Sequence, residues 1–342
     1  MPSFCRHNRL LQNCPICTKE QNIAMRPAVT RFAQVEPRSA TAPSSRPASP
    51  ARRARAGGTR GRTGAGGMTV RRLARDQDDG FSSDLIPGLK SAAEAQRLAD
   101  EVAFASARCH RLRTDPPGLY AAVADGGADI EQRSWLAFQL AWLSPLDGDD
   151  PFGAIAAARS PWDADTVAAP DPERAVTGPR GTYDPAAAAR TAEAYRAWAA
   201  RAGSQAAAFG GDPSWTPERR FDRVYERLAL PGVDRAVRFD LLVTLGCTGV
   251  YELAAGSLHL GGSDPVTLAA KRILGIGDPL LLERRAIELA SAFSAPVQAL
   301  DLGFFNWERR ERFPGGAPAD LQLDDTVRTA AYAALGLPSD SL

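Results

Sequence analysis

Two groups of side chains in this 342-residue chain have the types and spacing to do chemistry. Cys5, His7, Cys14 and Cys17 lie in FCRHNRLLQNCPICTKE, where a C-x-H pair precedes a C-x-x-C turn. Two thiolates from such a turn, with one more thiolate and an imidazole, close a tetrahedral Zn²⁺ shell. With all four positions filled by protein, no place remains for an activated water, so the expected zinc is structural. The second group centres on Asp264, which stands before Pro265 in GGSDPVTLAAKRILGIGD. Aspartate before proline is a common helix N-cap. The same carboxylate at the mouth of a site can accept a proton or stabilise developing positive charge.

The remaining thiols and imidazoles are chemically quieter. Cys109 and Cys247 stand far apart in the sequence, in apolar or small-residue surroundings, and read as buried, inert thiols. His110 and His259 have no companion at metal-ligand spacing, although His259 is close enough in sequence to Asp264 to share its surroundings.

The elements that must position Asp264 are helical. SAAEAQRLADEVAFASARCHRL, EQRSWLAFQLAWL, PAAAARTAEAYRAWAARA and PERRFDRVYERLAL carry apolar residues at three- and four-residue spacing, and no extended alternating stretch competes with them. The expected fold class is all-α, with prolines such as Pro145, Pro161, Pro217 and Pro231 at helix boundaries. Leu230, Pro231, Gly232 and Val233 form a turn between PERRFDRVYERLA and RAVRFDLLVTLG. Backbone N–H groups at the start of the second helix would favour an anion such as a DNA phosphate.

The helical region is expected over 75–335, the zinc knuckle over 1–20, and a linker over 21–74. Between Met25 and Arg75 lie twelve arginines and a single acidic residue, Glu36, in a background of Pro, Ala, Ser, Thr and Gly. Such a segment has too little apolar surface to offset chain entropy and is expected to be a disordered cationic tether able to touch nucleic-acid phosphates. The total charge is nevertheless only +1. No apolar run approaches the roughly 20 residues that span a bilayer, and the start of the chain lacks a signal-peptide core, so a cytoplasmic, non-membrane protein is expected. Met68 stands just before the helical region, at a place suited to a second translational start.

The LPGV hairpin, the SDPVT turn downstream and the helix KRILGIGD resemble the helix-hairpin-helix DNA glycosylases. The helix QALDLG, Gln298 to Gly303, echoes a helix that packs against the active site in that superfamily. Together FCRHNRLLQNCPIC, AWLSPLDGDDPF and LPGVD…SDPVTLAAKRILGIGD most closely resemble the α-glutamyl/putrescinyl thymine pyrophosphorylases, in the clade called clade 3. The resemblance covers residues 1 to about 20 and about 75 to 330. It implies a glycosylase-like helical fold of two subdomains and a reaction on DNA. Pyrophosphate on the 5-hydroxymethyl group of a uracil base is replaced by an amine such as putrescine or glutamate, in a pathway in which a DNA-base kinase is a partner.

In that reading Asp264 is catalytic, while Gly232, Arg235, Arg238, Lys271 and Arg272 bind phosphate or pyrophosphate. Gln139 and Ser144 are polar contacts to the base, with Trp135, Phe138 and Trp142 as packing or base-stacking groups. Two departures carry consequences. Asp234 stands where the hairpin pattern has its second glycine, which adds a repelling charge and suits an N-cap equally. Arg235 and Ala236 occupy the region of the lysine nucleophile of bifunctional glycosylases, so strand cleavage by a Schiff base is not expected. A monofunctional repair glycosylase and a non-catalytic DNA-binding protein remain alternatives.

The zinc assignment has a direct measurement. Purified protein is expected to carry about one equivalent of zinc through its four ligands, and the Cys14→Ser, Cys17→Ser double variant to lose it; full retention by elemental analysis would remove the assignment.

Overall fold

The computed structural model describes residues 78–338. The Cys5, His7, Cys14 and Cys17 cluster and the 21–74 linker lie outside the described residues. Those residues form twelve α-helices and no strand, so the protein is all-α over this region. In chain order the helices are α1 Ala92–Thr114, α2 Leu119–Ala124, α3 Ile130–Leu143, α4 Gly153–Ala158, α5 Ala188–Ala202 and α6 Gln205–Gly210. There follow α7 Pro217–Arg227, α8 Arg235–Cys247, α9 Pro265–Leu274, α10 Pro279–Ala292, α11 Val297–Arg309 and α12 Asp325–Leu335. No helix among the described residues is long and apolar enough to cross a membrane.

Local chemistry sets many of the boundaries. Thr216, Asp234, Asp264, Asp278 and Asp324 each turn a side-chain oxygen onto a backbone N–H of the helix that follows. Three of those helices have proline at or next to their first position, where the missing N–H costs nothing. Gly203, Gly275 and Gly336 close α5, α9 and α12 in left-handed geometry. The periodic windows read from the sequence coincide with α1, α3, α5, α7 and α8; α7 ends at Arg227, three residues before Leu230.

The helices pack as two groups. Helix α1 lies against α11 and α12, with α9 and α10 joining α11; on the other side α3 packs on α8, α2, α4 and α6, and α5 to α8 follow one another in contact. A contact between α1 and α8 joins the groups, and their apolar residues form one continuous core. Trp135, Phe138 and Trp142 lie at its centre, each no more than 1% exposed and stacked or tilted against Tyr195 or one another. Their rings are therefore packing groups and present no face to a base. Cys109 on α1 and Cys247 on α8 are both buried, and the structure brings these sequence-distant thiols together. A hydrogen bond with Cys247, aided by burial, holds the Cys109 thiol well above its ordinary pKa.

The turn between α7 and α8 is a tight one, with the Val233 N–H donating to the Leu230 carbonyl over 3.1 Å. Gly232 sits there at φ 74°, and its carbonyl accepts a 2.7 Å hydrogen bond from the Thr182 hydroxyl. A Cβ at Gly232 would come within 2.3 Å of the Thr191 hydroxyl on α5. Gly232→Ala is thus expected to destabilise the fold by about 1–3 kcal/mol, through left-handed backbone and overlap together. Gly249 has a similar φ of 71° but nothing within 4 Å of a built Cβ, so Gly249→Ala measures the backbone part alone. Urea unfolding of the two variants is expected to show the larger loss at Gly232.

Candidate functional site

Asp264 is the N-cap of α9. Its Oδ2 accepts a 2.6 Å hydrogen bond from the Thr267 hydroxyl and its Oδ1 a 3.2 Å bond from the Thr267 N–H. Oδ1 also lies 3.4 Å from Nη1 of Arg235, and the side chain keeps 16% of its surface in solvent. The carboxylate is fixed on three sides and open on a fourth.

Arg235, at the first position of α8, turns inward. Its Nη2 donates to the Leu258 carbonyl at 2.6 Å and to Asp301 Oδ1 at 2.6 Å, while Nε donates to the Leu258 carbonyl at 3.0 Å. Glu283 holds that acceptor loop by receiving the Leu258 and Leu260 N–H groups. Asp301 on α11 is 1% exposed, and its other oxygen accepts from Nη2 of Arg180 at 2.5 Å. Arg180 then grips Asp240 on α8 through Nε and Nη2, at 2.7 and 2.8 Å. A ladder of alternating charge runs Asp240, Arg180, Asp301, Arg235, Asp264, and it crosses the seam between the two helical groups. Its two terminal carboxylates keep some solvent exposure and its centre has almost none.

Charge in such surroundings survives only by pairing. Burial opposes ionisation of Asp301, yet the Arg235 and Arg180 guanidinium groups outweigh it and hold the carboxyl below its ordinary value. Burial likewise opposes the charge on Arg180 and Arg235, and the facing carboxylates keep both firmly protonated.

Arg180 reaches the ladder from a loop, and glycines let that loop approach α3. The Gly178 N–H donates to the Leu143 carbonyl over 2.7 Å, and Cβ atoms at Gly178 or Gly181 would lie 2.1 Å and 2.5 Å from carbonyl oxygens of Pro145 and Leu143. Opposite them Ser144 ends α3 at φ 58°, unusual for a side-chain-bearing residue, with its hydroxyl 3.4 Å from the Arg180 N–H.

The other residues singled out in the sequence fall in different places. Asp234 caps α8 through the Val237 N–H at 3.0 Å. Arg238 lies over the Tyr225 ring at 4.2 Å and donates to the Asp234 carbonyl. Arg272 is paired with Glu308 at 2.6 Å, and Lys271 donates to the Gly262 carbonyl at 3.3 Å. Since Arg235 is buried with its nitrogens committed to protein acceptors, it ties elements together instead of presenting a cation to phosphate.

Gln139 is also committed. Its amide donates to the Ser160 carbonyl and accepts the Ser160 N–H, at 2.9 and 2.8 Å, on the wall of a cleft of about 410 Å³. His259 stacks on Tyr225 with ring centroids 3.7 Å apart and stands 3.1 Å from the Asp222 carboxylate.

Arg180 and Asp240 were not found from the sequence. Asp240 left a faint trace as a carboxylate inside the apolar run RFDLLVTLG, and Asp301 a clearer one inside VQALDLGFF. Arg180, in GPRGTYDP, left none beyond flanking glycines. No protein-family model matches the chain, and no match was found among curated proteins or solved structures.

Replacing Asp301 by Asn would leave two buried guanidinium groups short of their shared charge, at an expected cost of about 3–5 kcal/mol. Asp264→Asn, which keeps the cap, is expected to cost about 1 kcal/mol or less. Because the Asp301 carboxyl titrates lower in the folded protein than in the unfolded chain, its contribution is complete above the unfolded value near ~4 and declines as pH falls through the folded value. Urea titrations at neutral pH and below pH ~4 are expected to show a weaker acid sensitivity in Asp301→Asn than in the wild type.

Proposed function

We propose that this protein modifies a base in DNA, replacing pyrophosphate on 5-(pyrophosphoryloxymethyl)uracil with an amine, with Asp264 as the catalytic carboxylate on a helix-hairpin-helix glycosylase-like scaffold. The observation that carries this reading is the 3.4 Å approach of Arg235 to Asp264. It joins the first residue of the helix after the hairpin to the carboxylate, the two parts that such a scaffold must bring together. The sequence resemblance supplies the substrate class, and the part-exposed carboxylate suits the chemistry.

The carbon–oxygen bond to pyrophosphate breaks, the amine nitrogen forms the new bond to the exocyclic carbon, and the amine's proton passes to Asp264. Pyrophosphate leaves with the electron pair. A carboxylate anchored by Thr267 and Arg235 costs little reorganisation when charge develops beside it. Such a base must first leave the stack. Phosphate contacts around the hairpin fall to the exposed turn at Gly232 and to Arg238 and Lys271, since Asp234 occupies the Val237 N–H and Arg235 and Arg272 have carboxylate partners. A small amine or amino acid is the co-substrate, and a DNA-base kinase would supply the phosphorylated base.

The test supplies DNA bearing the pyrophosphorylated base, with putrescine or glutamate, and analyses nucleosides by mass. Amine-adducted base is expected with wild type and about 10²–10⁴-fold less with Asp264→Asn, the usual range for a positioned acid or base. Free base with abasic DNA would instead identify a monofunctional glycosylase. Binding with neither product would identify a non-catalytic DNA-binding protein.

A further inference from the structure

The cleft beside Gln139 is walled by three parts of the chain: α3, the end of α2 with the turn after it, and the 159–161 stretch that leaves α4. Its volume is about 410 Å³, within the range of small-molecule sites. Gln132 and Gln139 lie two turns apart on one face of α3, and each clasps the backbone opposite with both ends of its amide. Gln132 pairs with the N–H and carbonyl of Trp162 at 2.9 and 2.7 Å, and Gln139 with those of Ser160 at 2.8 and 2.9 Å. The Trp135 indole N–H adds a 2.9 Å bond to the Ser160 carbonyl. That wall is held in place before any ligand arrives, which lowers the cost of binding.

Two guanidinium groups line this cleft with donors to spare. Arg133 donates from Nε to the Val123 carbonyl at 2.7 Å, but its Nη2 reaches the Ala124 carbonyl only at 3.5 Å and its Nη1 has no partner among the described residues. Arg159 is exposed, and its side chain has neither hydrogen bond nor ion pair among those residues. Among the described residues no carboxylate lines the cleft. The acidic side chains closest in sequence are committed elsewhere. Glu131 accepts the Gln205 and Ala206 N–H groups at the start of α6, while Asp125, Asp129 and Asp163 each accept a backbone N–H of their own turn.

Charge and shape together limit the ligand. Ala122, Ala128, Leu136 and Pro161 offer hydrocarbon surface to an apolar body. A carboxylate has two oxygens, which one guanidinium fork satisfies. A phosphate monoester has three terminal oxygens and about two negative charges at neutral pH, enough to engage two forks from separate elements.

We propose that this cleft binds a small organic phosphate, with its apolar body against Ala122, Leu136 and Pro161 and its phosphate shared by Arg133 and Arg159. Nothing in this site depends on the reaction at Asp264.

The test is calorimetric titration of the full-length protein with 1-naphthyl phosphate, with parallel arms of 1-naphthylacetate, 1-naphthol and orthophosphate at matched ionic strength. Wild type is expected to bind the phosphate monoester saturably, one per chain, and about tenfold or more tightly than the carboxylate, the neutral naphthol or the bare phosphate. Arg159→Gln changes an exposed side chain that holds nothing in the fold, so it is expected to fold as wild type does and to weaken binding by about tenfold. Ala122→Leu adds bulk at an exposed helical position on the apolar wall and is expected to weaken the monoester while both arginines remain. No saturable binding of 1-naphthyl phosphate by wild type would overturn the proposal. So would equal binding of 1-naphthol, which would mean an apolar patch only, of orthophosphate, which would mean an adventitious ion only, or of 1-naphthylacetate, which would mean a site blind to the phosphate. Binding undiminished in both Arg159→Gln and Ala122→Leu would place the ligand outside this cleft and overturn it as well.

Discussion

The carboxylate of Asp301 is the interaction on which the rest of the arrangement depends. It is buried on α11 between two guanidinium groups that come from a loop and from α8, so one side chain joins parts of the chain more than 100 residues apart. In a low-dielectric interior an ion of this kind is tolerated only when its partners are placed within hydrogen-bond distance. That requirement fixes where the start of α8 and the Arg180 loop sit relative to α11 more tightly than apolar packing would, because hydrocarbon contacts tolerate sliding and paired charges at 2.5–2.6 Å do not.

From that centre the constraint extends outward in both directions. Toward α9, Arg235 hands it to Asp264, whose capping bonds to Thr267 set the start of the helix. Toward α3, Arg180 hands it to Asp240 and, through its backbone, to the unusual turn at Ser144. Gly178 and Gly181 are the complement of this demand, since any Cβ there would drive the Arg180 loop away from α3. The ladder thus ends in two partly open carboxylates, Asp240 and Asp264. Capping and chemistry are compatible roles for Asp264, because a side chain that is already oriented needs little rearrangement to accept a proton.

The same logic explains why several cations near the hairpin are unsuited to gripping phosphate. A guanidinium already shared between carbonyls and carboxylates, as in Arg235, would have to break those bonds first. Arg272 faces the same demand from Glu308, while it also covers the Trp307 ring. Arg180, by contrast, keeps one buried nitrogen, Nη1, without a hydrogen-bond partner.

The sequence by itself determined the helical class, many helix starts and the position of Asp264 at one of them. These follow from short-range physics: apolar spacing of three and four, Asp or Thr before Pro, and glycine where φ turns positive are all written within a few residues. It also marked the tight turn at Gly232, and it left Asp234 open between a repelling charge in the hairpin and a cap, which the bond to the Val237 N–H decided. Only the tertiary structure decided that Arg235 is a buried tie, that Trp135, Phe138 and Trp142 are packing groups, and that Gln139 is a clasp on Ser160. Only it could join Arg180, Asp240 and Asp301, or set Cys109 beside Cys247. Whether an arginine meets solvent or a carboxylate depends on which distant segment folds against it, and side-chain types along a single stretch of chain carry no record of that partner.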